Sequence, residues 1–180
     1  MKKISIIILA TIGFSMIFSA CKKYEEGPAL TLRTPKQRVV GTWNLTETRY
    51  NNVKIDFNNL QDFFNSFDLG GLDLSNAPDS TTFDLSQLSL KSIKLNLDKE
   101  GNGAISIELA YGMLQFPYSQ EITWSFDDKK DALIFKIKDV AEEQSFKILK
   151  LTKDELWLEK TDVNNGVASI VNFEFEKIKD

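Results

Sequence analysis

The chain has no histidine and a single cysteine, Cys21. Without imidazole there is no Ser-His or Cys-His nucleophile pair and no histidine metal ligand. One thiol allows neither an intramolecular disulfide nor a thiolate zinc set, so stability has to come from packing. Positive charge is also in short supply: 22 Lys plus Arg stand against 26 Asp plus Glu, a net charge of −4. An acidic chain lacks the basic face that phosphate backbones require, which argues against a nucleic-acid partner. Long hydrophobic runs are confined to one place, Ile4 to Ala20.

That run follows Lys2-Lys3 and ends in the small pair Ser19-Ala20, directly before Cys21. The order reads as an export signal whose cleavage leaves a cysteine at the new N-terminus. An uncleaved anchor is the alternative. Its 17 residues would reach ~25 Å as a helix, short of roughly 30 Å of hydrocarbon, and Ser5, Thr11, Ser15 and Ser19 dilute it further. Removing residues 1–20 takes Lys2 and Lys3, leaving 20 basic against 26 acidic residues and a net charge of −6. The remaining 160 residues fit one domain. Residues 21–38 carry no periodicity and read as a flexible tether; the domain is expected over 39–180, with an insert at 58–89.

The stretch Phe18-Ser19-Ala20-Cys21 resembles the lipobox of bacterial lipoproteins, and phenylalanine at its first place resembles the form found in the Bacteroidetes. The resemblance implies that Cys21 is lipidated and that the protein is held in the outer membrane. Glu25-Glu26 partly resembles the acidic signals that send some of these lipoproteins to the cell surface, so the periplasmic and surface faces both stay open.

From residue 39 the pattern has a period of two, the mark of antiparallel sheet with one buried face. Trp43 and Leu45 alternate with polar neighbours, as do Ile93-Leu95-Leu97, Ile105-Ile107-Leu109, Ile122-Trp124-Phe126 and Leu133-Phe135-Ile137. Phe146-Ile148, Leu156-Leu158 and Val171-Phe173-Phe175 complete eight strands; a ninth is possible at Val53 to Phe57. Turn chemistry falls between them at Asp98 to Gly103, Asp127 to Asp131, Thr152 to Asp154 and Asn164 to Gly166. Tyr111 to Ser119 reads as a loop whose Tyr111, Met113, Phe116, Pro117 and Tyr118 either rim a barrel mouth or pack as an ordinary crossover. Closing such a meander removes its two edges, so the expected fold is all-β, an up-and-down antiparallel barrel of about eight strands, with a β-sandwich as the alternative.

Val39-Val40-Gly41-Thr42-Trp43-Asn44-Leu45 resembles the Gly-x-Trp opening of lipocalin-like and fatty-acid-binding barrels, where the tryptophan plugs the closed end. Trp124-Ser125-Phe126 and the hairpin from Ile148 to Leu158 resemble the lipocalin-like domains of Bacteroidetes lipoproteins. The later signatures of true lipocalins are missing. Within the insert, Leu60, Phe63, Phe64 and Phe67 form one stripe of a short helix ended by Gly70-Gly71. The stripe would pack on the barrel, cover its mouth or touch a membrane; Asp62 and Asp68 disfavour the last.

Chemistry is sparse. Asp98 to Leu109 approximates a calcium loop but carries Leu109 where the bidentate glutamate belongs, and its flanks alternate as strands, so it reads as a hairpin turn. Asp127, Asp128, Glu142 and Glu143 offer carboxylates in turns, with no pair set apart for hydrolysis. No metal, no cofactor and no enzymatic activity are expected. Asp79-Ser80-Thr81 resembles the short O-glycosylation acceptor of the Bacteroidetes, making Ser80 the candidate acceptor. Trp157 is out of phase with Leu156 and Leu158 and points outward, either under a neighbouring segment or toward a partner.

Two functions follow. In the first, Trp43, Leu95, Ile107, Trp124, Phe135, Phe146 and Phe173 line a cavity for a small apolar ligand. In the second, the barrel is filled by its own side chains and serves as an accessory lipoprotein in an envelope assembly, through Trp157 or the insert. The family resemblance favours the first.

Overall fold

The computed structural model describes residues 23–28, 32–57, 88–164 and 167–179. Among these residues a short helix, α1 (Pro35–Val39), precedes nine strands. These are β1 (Gly41–Tyr50), β2 (Val53–Lys54), β3 (Leu88–Leu97), β4 (Asn102–Tyr111), β5 (Leu114–Phe126), β6 (Ala132–Ile137), β7 (Glu143–Leu151), β8 (Glu155–Asn164) and β9 (Val167–Lys177). Every pairing is antiparallel between neighbours in the order β2-β1-β3-β4-β5-β6-β7-β8-β9, and β1 also pairs with β9. That last ladder, from Trp43↔Lys177 to Tyr50↔Val171, closes the sheet into an eight-stranded barrel and disposes of the sandwich. The ninth strand is the two-residue β2, a hairpin on the end of β1 turned by Asn51 and Asn52, both at positive φ as a tight reversal needs.

Closure is uneven. β1 meets β3 only over Gly41–Asn44, opposite Leu97–Lys94. Beyond that point the two strands part, and Ile55 enters the gap with its amide donating to the Thr48 carbonyl (2.9 Å). A bulge between Leu45 and Glu47 shifts the phase of β1, so Thr48 rather than Glu47 faces inward. Two apolar clusters result. The larger gathers Trp43, Leu45, Leu95, Leu97, Ile122, Trp124, Leu133, Phe135, Ile148, Leu151, Leu156, Leu158 and Phe175. The smaller, Ile55, Ile107 and Leu109, sits beneath the parted strands, and Phe57, Ile93 and Ile105 pack against both.

Three expectations need correction. Tyr111 to Ser119 is not a loop: β4 runs through Tyr111, the turn is Gly112-Met113, and β5 begins at Leu114. Pro117 is tolerated within β5 because β6 pairs only with Ile122–Phe126, so this stretch of β5 is an edge. The presumed tether is also not free where it is described. Tyr24 is 3% exposed, the Glu26 amide donates to the Leu149 carbonyl (2.9 Å), and Lys23–Asp131 and Lys147–Glu25 ion pairs flank it. Third, the lack of periodicity concealed α1. Thr34 accepts from the Gln37 amide while Gln37 Oε1 accepts from the Thr34 amide, and Pro35 supplies a preset first turn. The Phe stripe of the insert, Cys21 and Ser80 lie outside the described residues.

Candidate ligand-binding interior

At one end of the barrel, the end that carries the β3–β4, β5–β6 and β7–β8 turns, the interior is filled. Trp43, Leu97, Leu133, Leu151 and Leu156 are wholly buried there. Trp43 acts as the plug: its indole N–H donates to the Val39 carbonyl (2.7 Å), and the Lys177 ammonium lies 4.6 Å from the ring centroid. Lys177 reaches over Gly41 to donate to the carbonyls of Arg38 (2.9 Å) and Val40 (2.6 Å). A Cβ on Gly41 would stand 2.5 Å from Lys177 Cε, and its φ of +138° is itself a glycine conformation. The glycine of Gly-x-Trp is thus favoured chiefly by its φ, and any side chain there would also displace the end of Lys177. Burial, with repulsion from Arg33 next, holds the Lys177 pKa below the ordinary lysine value.

Trp124 seals the adjoining turn. Its indole N–H is shared between the carbonyls of Asp98 (3.1 Å) and Asn102 (3.2 Å), and the Asp98 carboxylate accepts from the amides of Glu100 (2.9 Å) and Asn102 (2.8 Å). The carboxylate is used within the hairpin. Among the described residues no three His, Cys, Asp or Glu side chains come together as a metal set.

The opposite end differs. Phe135, Phe146 and Phe173 form an edge-to-face chain, with centroids 5.4 and 5.8 Å apart, and Phe146 and Phe173 are only half-buried. On β5 the inward phase set by Ile122 and Trp124 continues to Tyr118, Phe116 and Leu114, whose exposures rise from 36% through 39% to 62%. Their cross-strand partners on β4 are Ile107, Leu109 and Tyr111. Gln120 interrupts this phase on β5, its Oε1 accepting from the Tyr118 hydroxyl (2.5 Å), while on β4 Ile105, Ile107, Leu109 and Tyr111 carry the apolar surface from the core towards the strand end. On the facing wall Lys160 and Asp162 continue the inward phase of Leu158 and form an ion pair (3.2 Å).

Of the seven candidate lining residues, Trp43, Leu95, Trp124 and Phe135 lie in the large cluster, with Phe146 and Phe173 packed against it. Ile107 belongs to the small cluster. Trp43 and Trp124 are spent on the closed end, which leaves Ile107, Phe146 and Phe173 as the candidates toward the other end. Tyr111, Phe116 and Tyr118, expected as a loop at the mouth, are strand residues of β4 and β5, and Tyr50 at the end of β1 packs with Tyr111 against the small cluster without having been singled out. Trp157 faces outward from β8; the Lys150 ammonium covers its ring at 4.1 Å and is itself paired to Glu155 (2.9 Å).

Clefts are also found outside the barrel among the described residues. One of about 210 Å³ is on the wall formed by β3, β4 and β5, around Lys94, Ser106, Glu108 and Pro117. Another, of about 310 Å³, lies at the closed end beside Tyr24 and Arg38.

No family model matches the chain, and no curated protein sequence matches it. Among solved structures, bovine odorant-binding protein aligns over 84% of this chain and 78% of its own, with 14% identity and a TM-score of 0.40. The siderocalin Ex-FABP aligns over 79% and 76%, with 12% identity and a TM-score of 0.41. The bovine lipocalin allergen Bos d 2 aligns over 81% and 76%, with 5% identity and a TM-score of 0.40.

Proposed function

We propose that this protein is a lipid-anchored envelope protein of the Bacteroidetes lipoprotein kind whose barrel binds a small apolar molecule at its open end. The observation that carries the ligand reading is the apolar face from Ile107 and Leu109 across to Phe116 and Tyr118, half in the core and half in solvent, with Gln120 as the polar group within it. Soluble proteins bury such a surface unless something uses it. Phe146 and Phe173, edge to face at 5.8 Å and half-buried, add aromatic surface from β7 and β9. The Gly-x-Trp resemblance points the same way, since barrels of that kind are closed at the tryptophan end and loaded from the other. The anchor rests on the order Lys2-Lys3, apolar run, Ser19-Ala20, Cys21. In this reading the outer membrane holds the lipid, and the protein binds rather than catalyses.

Native mass spectrometry of the protein purified from its own membrane tests the ligand. A reproducible small-molecule adduct that is lost in Phe116→Ala, Tyr118→Ala is the expected result. A bare chain that co-purifies with a second protein would instead favour the accessory role. Intact mass tests the anchor separately: the chain should begin at Cys21 and carry acyl chains. A mass that includes residues 1–20 would refute it.

A further inference from the structure

The cleft at the closed end is built differently from the rest of the surface. Lys23, Tyr24, Leu32, Arg33, Thr34 and Arg38 line it, and none of its described lining residues is acidic. Arg38 is 4% exposed. Its guanidinium donates to the Leu151 carbonyl and lies 5.7 Å from the centroid of the Tyr24 ring, while its buried Nε has no hydrogen-bond partner. A cation held this far from water is ordinarily matched by a carboxylate; none of the ion pairs among the described residues involves Arg38. Lys23 is tied to Asp131 at the entrance (3.1 Å). Arg33 and Lys177 add positive charge close by, and the repulsion between them contributes to the depressed pKa of Lys177.

We propose that this cleft is a binding site for a phosphate group, held by Arg38 and Arg33 with Lys23 at its entrance. Guanidinium forks match the oxygens of a tetrahedral anion, and a doubly charged oxyanion answers several cations better than a single carboxylate does. A volume of about 310 Å³ admits a headgroup-sized ligand. The phosphate comes from a lipid headgroup or from solution. Lys23 is two residues from Cys21, a reach of about 7 Å. If Cys21 is acylated, that distance puts the cleft among the headgroups and turns the open mouth away from the bilayer. The site itself does not rest on the anchor.

The test uses the full-length protein in a non-ionic detergent, followed by phosphorus NMR. Inorganic phosphate and dihexanoyl phosphatidic acid are titrated separately at constant ionic strength set with chloride. Saturable binding is expected, weakened about tenfold in Arg33→Gln, an exposed position whose variant is checked for fold by near-ultraviolet circular dichroism. Arg38→Gln, with its fold checked by near-ultraviolet circular dichroism, should weaken it at least as much. Binding of phosphatidic acid alone assigns a lipid headgroup; binding of inorganic phosphate assigns the free anion. The proposal is overturned if neither saturates, if chloride competes equally, or if both variants bind like the parent. Acylation is read independently by mass, so its failure would leave this result intact.

Discussion

The two ends of this barrel are made from the same alternating pattern and come to opposite conditions. At the closed end the inward side chains are covered: Val39 of α1 accepts from the Trp43 indole, Lys177 spans the rim, Tyr24 bonds the Lys130 carbonyl, and the β3–β4 turn is tied by Asp98 and Trp124. At the open end the strands outrun their neighbours. β1 leaves β3, β5 extends eight residues before its β6 ladder begins, and the apolar phase reaches solvent at Leu114. The difference shows that alternation specifies which face is inward, while covering residues decide whether that face becomes core or surface.

The largest effect should come from emptying the plug. Trp43→Ala removes a wholly buried indole and its hydrogen bond, and about 3–5 kcal/mol of stability should be lost in denaturant unfolding. Phe116→Ala, an aromatic truncation on the same inner face, should cost under about 1 kcal/mol because the ring is already partly in water. Equal losses would mean that the ends are not distinct.

The Tyr24 strap gives the next effect. Burial, partly offset by Arg38, pushes the phenol pKa up to about 12. A raised folded-state value favours the neutral ring, so its stabilisation is complete below the unfolded value near 10. It is lost as pH climbs from there to about 12. Ultraviolet titration should show one late-ionising tyrosine, with loss of closed-end protection in hydrogen exchange over that window. Tyr24→Phe removes the hydroxyl bond to the Lys130 carbonyl (3.1 Å), costing about 1 kcal/mol, and abolishes the late ionisation.

How much of this could be read from sequence divides along the same line. Period-two alternation located the core of all eight long strands and the turns at Asp98, Asp127, Thr152 and Asn164, because one-sided burial leaves that signature directly. It failed where covering contacts are made by residues without a period. Tyr24 and Arg38 carry no local mark of burial, since their partners are 106 and 113 positions away. α1 was legible in principle: Thr34-Pro35-Lys36-Gln37 is a capping box with proline at its first turn. Pro117 and the adjoining aromatics disguised the start of β5 as a loop, so these residues were legible as a rim but not as strand.

A smaller effect is expected from the bulge in β1. It turns Thr48 into the wall, wholly buried, where its hydroxyl finds no partner. Thr48→Val keeps the shape and deletes the orphan, so it should raise stability by about 1 kcal/mol. A loss of that size in thermal unfolding would mean the hydroxyl is satisfied, for instance by an interior water.

The smallest change in stability, and the sharpest test of the open end, belongs to Pro117. The Glu121 carbonyl accepts from Lys138 across the β5–β6 side, so by alternation the backbone groups of Ser119, Pro117 and Gln115 face the unpaired edge. Proline removes the middle donor of that row, and a flat apolar edge with Leu114 and Phe116 beside it would otherwise invite another strand. Pro117→Thr should change unfolding free energy by no more than about 0.5 kcal/mol, since the position is exposed. Sedimentation velocity should nonetheless show concentration-dependent association absent from the parent. Trp43→Phe, a milder lesion at the closed end, should show the reverse: measurable destabilisation without association. If Pro117→Thr stays monomeric at high concentration, the outrun strand is protected by something other than its proline, and the mouth is less open than its exposed rings indicate.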